Sequence, residues 1–391
     1  MTPDFSYEYC KHLRNPAHDV NAHSEFSEVL LQADCRHAQQ EISSWEGYAA
    51  TPLIELPDFA TAAGVGSVVY KDESPRFGLG SFKALGGSYA VAQLADEYRK
   101  QHGSLAGFAV ATATDGNHGK SVAWGAQRLG VECHIFIHAQ VSQQRSDAIT
   151  ELGAHVHRVA GNYDDSLVEC ETMARAHGWQ IVSDTSWEGY ETVPVQIMAG
   201  YSVMAAEIVA QLKGKIPTHF FIPAGCGGLA GGMLAYFWQV WKEQLPAIVI
   251  VESEYSACVY KSIEADDAIQ LNVVEETVMA GLSCGEVSQI IWPLLRRGVK
   301  HAITIPDEGV VPTMRSLAKP AGDDRPAIEA GECSAAGLIA LLAAAGNTEL
   351  QQALDLNQAS RVLVLGTEGA TDPEFYHRAI YGTKQKFEGK P

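Results

Sequence analysis

One lysine stands in a setting suited to chemistry. Lys83 lies in the run Gly78-Leu79-Gly80-Ser81-Phe82-Lys83-Ala84-Leu85-Gly86-Gly87. Glycines on both sides let backbone approach a bound group closely and adopt positive φ. Phe82 and Leu85 flank the amine with apolar surface. Lost hydration lowers an ammonium pKa toward the nucleophilic neutral amine. A second run, Gly225-Cys226-Gly227-Gly228-Leu229-Ala230-Gly231-Gly232, follows the apolar stretch Thr218–Ala224. It reads as a strand, a glycine turn and then a helix over Met233–Trp241. Bare N–H groups at a helix N-terminus make an anion site. No Lys-Ser/Thr pair follows the glycines, and the spacing departs from Gly-x-Gly-x-x-Gly, so neither nucleotide fingerprint applies. Tight helix–strand packing is the plainer use of such glycines. An imine-forming lysine paired with a phosphate cradle points instead to pyridoxal phosphate.

These residues need elements to hold them. The pattern predicts strands over Val68–Glu73, Gly107–Ala113, Val131–Ile137, His155–Val159, Gln180–Ser183, Ala247–Glu252 and Arg361–Leu365. Helices are expected over Glu25–Ile42, Ala84–Arg99, Lys120–Leu129, Gln143–Leu152 and Asp164–His177. A long amphipathic helix over Ile197–Leu212 and a buried one over Ser334–Ala345 complete the list. Residues 262–290 read as loop with short helices near the site entrance. The strand–helix alternation implies parallel sheets covered on both faces. No internal repeat, low-complexity tract or linker is visible.

Composition bounds the function. The chain has 391 residues, 46% hydrophobic and 19% charged, with a net charge of −19. Such an acidic balance argues against nucleic acid or an anionic membrane as partner. No N-terminal apolar run suggests a signal peptide, and no membrane span is expected. The eight cysteines are scattered without a ligand pattern. A cytoplasmic, reduced setting is the default and no metal site is expected.

The motifs in order resemble a known class. Ser81-Phe82-Lys83, then Asp115-Gly116-Asn117-His118-Gly119, then Gly225-Cys226-Gly227-Gly228-Leu229 resemble the fold type II pyridoxal-phosphate enzymes, the tryptophan synthase β / threonine dehydratase class. Further details are similar to the 2,3-diaminopropionate ammonia-lyases. They are Phe77 through Gly87, Thr112 through Gly119, Asp184-Thr185-Ser186-Trp187-Glu188-Gly189-Tyr190, and Thr367-Glu368-Gly369-Ala370-Thr371-Asp372.

The resemblance implies two open parallel α/β domains with the cofactor between them. Residues 1–86 and 185–391 would form the large domain and 87–184 the small one. Lys83 would hold the cofactor and then serve as base. Gly225, Cys226, Gly227, Gly228 and Leu229 would hold its phosphate, Asn117 its ring hydroxyl and Thr367 its pyridine nitrogen. A hydroxyl at Thr367 cannot fix a ring proton as a carboxylate would, which favours direct elimination. Thr114, Asp115, Gly116 and His118 would handle the substrate, with His118 structural rather than acid–base. Asp115 would meet the β-ammonium of diaminopropionate and supply a second base for the D-isomer. Glu332 and Ser334 are candidates to line the cofactor or a monovalent cation. Cys258 and Cys284 could pair, although two reduced thiols are the simpler expectation. A homodimer is implied, and the aromatic arm Phe5, Tyr7, Tyr9 and Phe26 would suit its interface.

The function that follows is a carbon–nitrogen lyase converting diaminopropionate to pyruvate and ammonia. A serine/threonine dehydratase or other β-eliminating or β-replacing enzyme is the alternative. Asp115 argues against it, since relatives of that kind carry a small residue there. A cofactor-binding protein without activity is disfavoured by the retained Lys83 and Asn117.

Overall fold

The computed structural model describes residues 5–22, 26, 28–114, 116–322 and 325–382. Two sheets carry the site. The larger has seven strands in the order β1-β10-β9-β8-β11-β3-β2. Here β1 is Lys11–Arg14, β2 Leu53–Glu55, β3 Ser67–Asp72, β8 His219–Pro223, β9 Ala247–Ser253, β10 Val299–Ile305 and β11 Arg361–Gly366. The five inner strands run parallel, and β1 and β2 close the edges antiparallel. The smaller sheet is wholly parallel, in the order β6-β5-β4-β7. Its strands are β4 Ala109–Ala113, β5 Glu132–His138, β6 His155–Val159 and β7 Gln180–Ile181. Every residue of β4 and β8 is buried, which is why both read as unbroken apolar runs rather than alternating ones.

Three helices meet behind the lysine. Lys83–His102 packs on both Asn117–Leu129 and Thr192–Gln211. A Cβ at Gly86 would sit 2.5 Å from Tyr201 Cε1, and one at Gly200 would sit 2.5 Å from the Leu85 carbonyl. Gly86 and Gly87 therefore serve helix contact rather than approach to a ligand, which corrects one reading of that run. The helix Thr192–Gln211 was expected to be amphipathic, yet it is buried on nearly every side. By length and apolar composition it could cross a membrane, but most of it is buried inside the fold. It is the core helix shared by both layers.

A buried charge network fixes the loop before the lysine. Arg76 grips Glu73 through Nε and Nη2, each at 2.8 Å, and Glu207 through Nη1 and Nη2, each at 2.8 Å. Lys71 Nζ donates to Glu207 at 2.7 Å and to the Thr51 carbonyl at 2.8 Å. Two cations face two carboxylates, so the cluster is neutral and can sit out of water.

Several boundaries differ from expectation. The first long helix runs over Gln32–Ser43, and Glu25 lies outside the described residues. The helices after the lysine and after the Thr114 loop start earlier than expected, at Lys83 and Asn117. The helix after the glycine turn starts at Gly228, not Met233. Gly231 and Gly232 lie inside it because a Cβ would meet Ile291 Cγ2 at 2.6 Å and the Met198 carbonyl at 3.3 Å. The arm aromatics are also spent internally: Phe26 stacks on Trp238 with centroids 5.2 Å apart, and Tyr7 joins the core.

Candidate active site

The loops singled out by sequence meet at the C-terminal edge of the large sheet, where open α/β sheets bind ligands. The lysine run is stapled to the turn after β11. Phe82 N–H donates to the Thr367 carbonyl at 3.0 Å, and Gly369 N–H to the Gly80 carbonyl at 2.9 Å. Gly80 takes φ +82°, a turn only glycine makes without strain. Lys83 then opens its helix and points its amine at Asp184, which follows β7. Burial would push the lysine toward its neutral form, but the Asp184 carboxylate outweighs it and holds the pKa well above the ordinary value. The expected lowered pKa is thus reversed. What the sequence missed was the counter-ion, visible only as part of the Asp184–Tyr190 motif.

Asp184 links three parts of the site. Burial would raise its pKa, yet the Lys83 ammonium keeps it low and the group ionised. Its backbone carbonyl lies 4.0 Å from Cys226 Sγ and 3.7 Å from a Cβ at Gly228. His118 Nδ1 stands 3.9 Å from the Asp184 carboxylate, while Nε2–H donates to the Val182 carbonyl at 2.7 Å. Burial lowers the His118 pKa, and in the neutral ring Nδ1 has no hydrogen-bond partner.

The glycine turn is a cradle. Gly227 takes φ +91°, and the helix Gly228–Trp241 begins directly after it. Its first-turn N–H groups have no intrahelical acceptor. A Cβ at Gly225 would strike Cys284 Sγ and the Gly281 carbonyl, both at 2.9 Å. Ser288 N–H donates to the Cys226 carbonyl at 2.9 Å and fixes the turn from outside. Cys258 and Cys284 are both free thiols. Cys258 donates to the Gly225 carbonyl at 3.5 Å, whereas Cys284 hydrogen-bonds Cys226 and draws it down to about 7.

The Thr114 loop closes the other side. Thr114 Oγ1 accepts from Gly116 N–H at 3.1 Å and Gly119 N–H at 3.2 Å. The Gly116 N–H is therefore committed within the loop, which corrects its expected use on a carboxylate. Asn117 and His118 lie in the open first turn of their helix. Asp115 lies outside the described residues. Asn117 Nδ2 donates to Glu368 Oε2 at 2.5 Å, leaving its second amide hydrogen for another acceptor. Glu368 Oε1 also accepts from Cys333 N–H at 3.2 Å, so it orients Asn117 against a fixed backbone. Thr367 Oγ1 lies 3.5 Å from Ser334 Oγ, both buried. Burial, reinforced by Glu368, pushes the Glu332 carboxyl up to about 8.

Sequence reasoning assigned no role to Asp184, Tyr201 or Glu368. Tyr201 has a buried hydroxyl with no hydrogen-bond partner, and its ring packs on Phe82 at 4.9 Å. No group of three His, Cys, Asp or Glu side chains among the described residues is arranged to hold a metal. The lysine amine, the orphaned Tyr201 hydroxyl and the bare glycine turn fit a phosphorylated pyridine aldehyde placed between them.

Comparison with known proteins agrees with this geometry. The family model for pyridoxal-phosphate dependent enzymes matches residues 45–368. The diaminopropionate ammonia-lyase of Escherichia coli K12 is 39% identical over 376 residues, covering 92% of this chain and 94% of that one. The Salmonella typhimurium enzyme of the same name is 37% identical, covering 85% and 88%. A crystal structure of the Escherichia coli enzyme with an aminoacrylate–cofactor intermediate superposes with a TM-score of 0.88 at 38% identity, covering 96% and 98%. Tomato threonine deaminase, 18% identical with a TM-score of 0.73, shares the fold. The chain belongs to the pyridoxal-phosphate-dependent enzymes of fold type II, and within them to the diaminopropionate ammonia-lyases. Its cofactor is pyridoxal 5′-phosphate, and it is a carbon–nitrogen lyase.

Proposed function

We propose that this chain converts 2,3-diaminopropionate and water to pyruvate and two ammonia molecules. The observation that supports this most is Asp184, which contacts Lys83 and the glycine turn together, in a chain 39% identical to a diaminopropionate ammonia-lyase. Bound there, the cofactor supplies an electron sink that acidifies the substrate Cα–H.

This chain's residues do the rest. Gly225 through Leu229 would anchor the phosphate, Asn117 would donate to the ring hydroxyl, and Thr367 would face the pyridine nitrogen. Lys83 takes the Cα proton, and Asp184 stabilises the ammonium that results. The Thr114 hydroxyl and the N–H groups of Asn117 and His118 hold the substrate carboxylate. Asp115 pairs with the β-ammonium and serves as the base for the D-isomer. We place the small domain at residues 87–184 and the large one around it. The working form is a cytoplasmic homodimer. Because Tyr7 and Phe26 are buried within the protomer, its contact draws on other surface, such as exposed Leu31 and Val240. A monomeric mass in light scattering would contradict the dimer.

Asp115→Asn, assayed separately on both isomers, tests the substrate reading. Turnover of the D-isomer should fall by about 10²–10⁴, the usual worth of a positioned base, with L-isomer turnover largely kept. Unchanged turnover of both isomers would reduce Asp115 to a loop residue.

A further inference from the structure

A pocket of about 360 Å³ opens at the opposite end of the large sheet, lined by Arg14, Asn15, Pro16, His18 and Lys300. The catalytic loops follow the C-terminal ends of β8 and β11. Strand β10 runs parallel to β9, and β9 to β8, so Lys300 at the start of β10 lies at the far edge. Arg14 reaches the same edge because β1 runs antiparallel and sets Arg14 against His301.

The pocket is built rather than incidental. Asn15 is buried and spends its side chain on structure: Nδ2 donates to the Arg296 and Val299 carbonyls at 2.8 and 2.7 Å. Its Oδ1 accepts from Ala17 N–H at 2.9 Å. Asn15 N–H donates to the Lys300 carbonyl at 3.0 Å, and Asp19 N–H to the Arg297 carbonyl at 2.9 Å. The turn carrying His18 is thereby stapled to the segment carrying Lys300. Three basic side chains are held around one cavity. Lys300 and Arg14 both act on His18 and depress its protonation, with burial the larger cause and Asp19 opposing them. Among the described residues, neither Arg14 nor Lys300 has a carboxylate within ion-pair distance. In a chain with a net charge of −19, two uncompensated cations facing one cavity stand out. Clustered like charges cost free energy unless an anion joins them.

We propose that this pocket binds a small oxyanion, a phosphate or carboxylate group of a metabolite, at a site separate from the catalytic centre. Arg14 supplies a planar fork for two oxygens and Lys300 a point charge. The cavity has room for a short organic group beyond the oxyanion itself.

The test uses the holoenzyme, whose catalytic phosphate cradle is already filled. Inorganic phosphate is titrated calorimetrically at constant ionic strength, and malonate in a parallel arm. One saturable event per chain is expected, and the stronger arm tells phosphate from carboxylate. Arg14→Gln and Lys300→Gln should each weaken binding at least about tenfold, the loss of one charge-assisted hydrogen bond. Arg14→Lys should restore part of it. Cofactor absorbance and turnover without added anion should stay at wild-type levels, which shows that the variants are folded. No saturable heat in either arm, or equal heat in wild type and both Gln variants, overturns the proposal. So does dissociation of the oligomer in the Gln variants without anion binding in wild type, which would make the pocket a subunit contact.

Discussion

At the scale of single residues, two acids of the site behave in opposite ways. Asp184 stays ionised because the Lys83 ammonium faces it. For Glu332, burial and the neighbouring Glu368 outweigh the opposing Arg145 and raise it from 4.5 to about 8. An acid with a raised folded pKa binds more protons folded than unfolded. Its burial therefore costs stability above pH 4.5, and the cost grows until the pH passes about 8. Replacing Glu332 with Gln should remove this cost. Thermal or denaturant melts of Glu332→Gln and wild type should converge near pH 4.5 and separate up to about pH 8, the variant being the more stable. A constant difference across that range would show that Glu332 does not titrate as described. Lys83, Asn117, Thr367 and the glycine turn were legible in sequence because motif chemistry is local. Asp184 and Glu368 were not given roles because a counter-ion is defined by what lies across space. Asp184 is 101 residues from Lys83, and Glu368 is 251 from Asn117.

At the scale of elements, the lysine is positioned by contacts that allow little slack. Gly86 and Gly200 let two helices touch at backbone distance, and the Arg76 network ties the loop after β3 to the helix Thr192–Gln211. Glu207 is the hub, accepting from Lys71, Arg76 and Tyr48. Glu207→Gln leaves two buried cations facing one carboxylate, which should cost about 3–5 kcal/mol of stability. Denaturant unfolding checks this, and a loss below about 1 kcal/mol would mean that water reaches the cluster. Most strands and helices were readable from apolar runs and glycine breaks, but the inner strand β10 was not, because Lys300 and His301 interrupt its apolar run. Helix starts were not, since glycines at Gly228, Gly231 and Gly232 look like turn formers. Only the facing Met198 and Ile291 reveal that they are packing residues.

At the scale of the whole molecule, two largely parallel sheets and one shared core helix bring loops from distant parts of the chain to one edge. The parallel class was legible because buried parallel strands are continuously apolar. The antiparallel edge strand β1 was not, since a four-residue strand carries little pattern. The sheet's far edge, with its basic pocket, gave no sequence signal because Arg14 and Lys300 meet only through strand pairing. The central claim is that this edge eliminates ammonia from diaminopropionate by means of Lys83. The direct measurement is pyruvate release from 2,3-diaminopropionate, serine, threonine and cysteine, by wild type and Lys83→Ala. Diaminopropionate should give the highest kcat/KM, and Lys83→Ala should lower its turnover by at least about 10²–10⁴. A preference for serine or threonine, or diaminopropionate turnover that survives Lys83→Ala, would contradict the account.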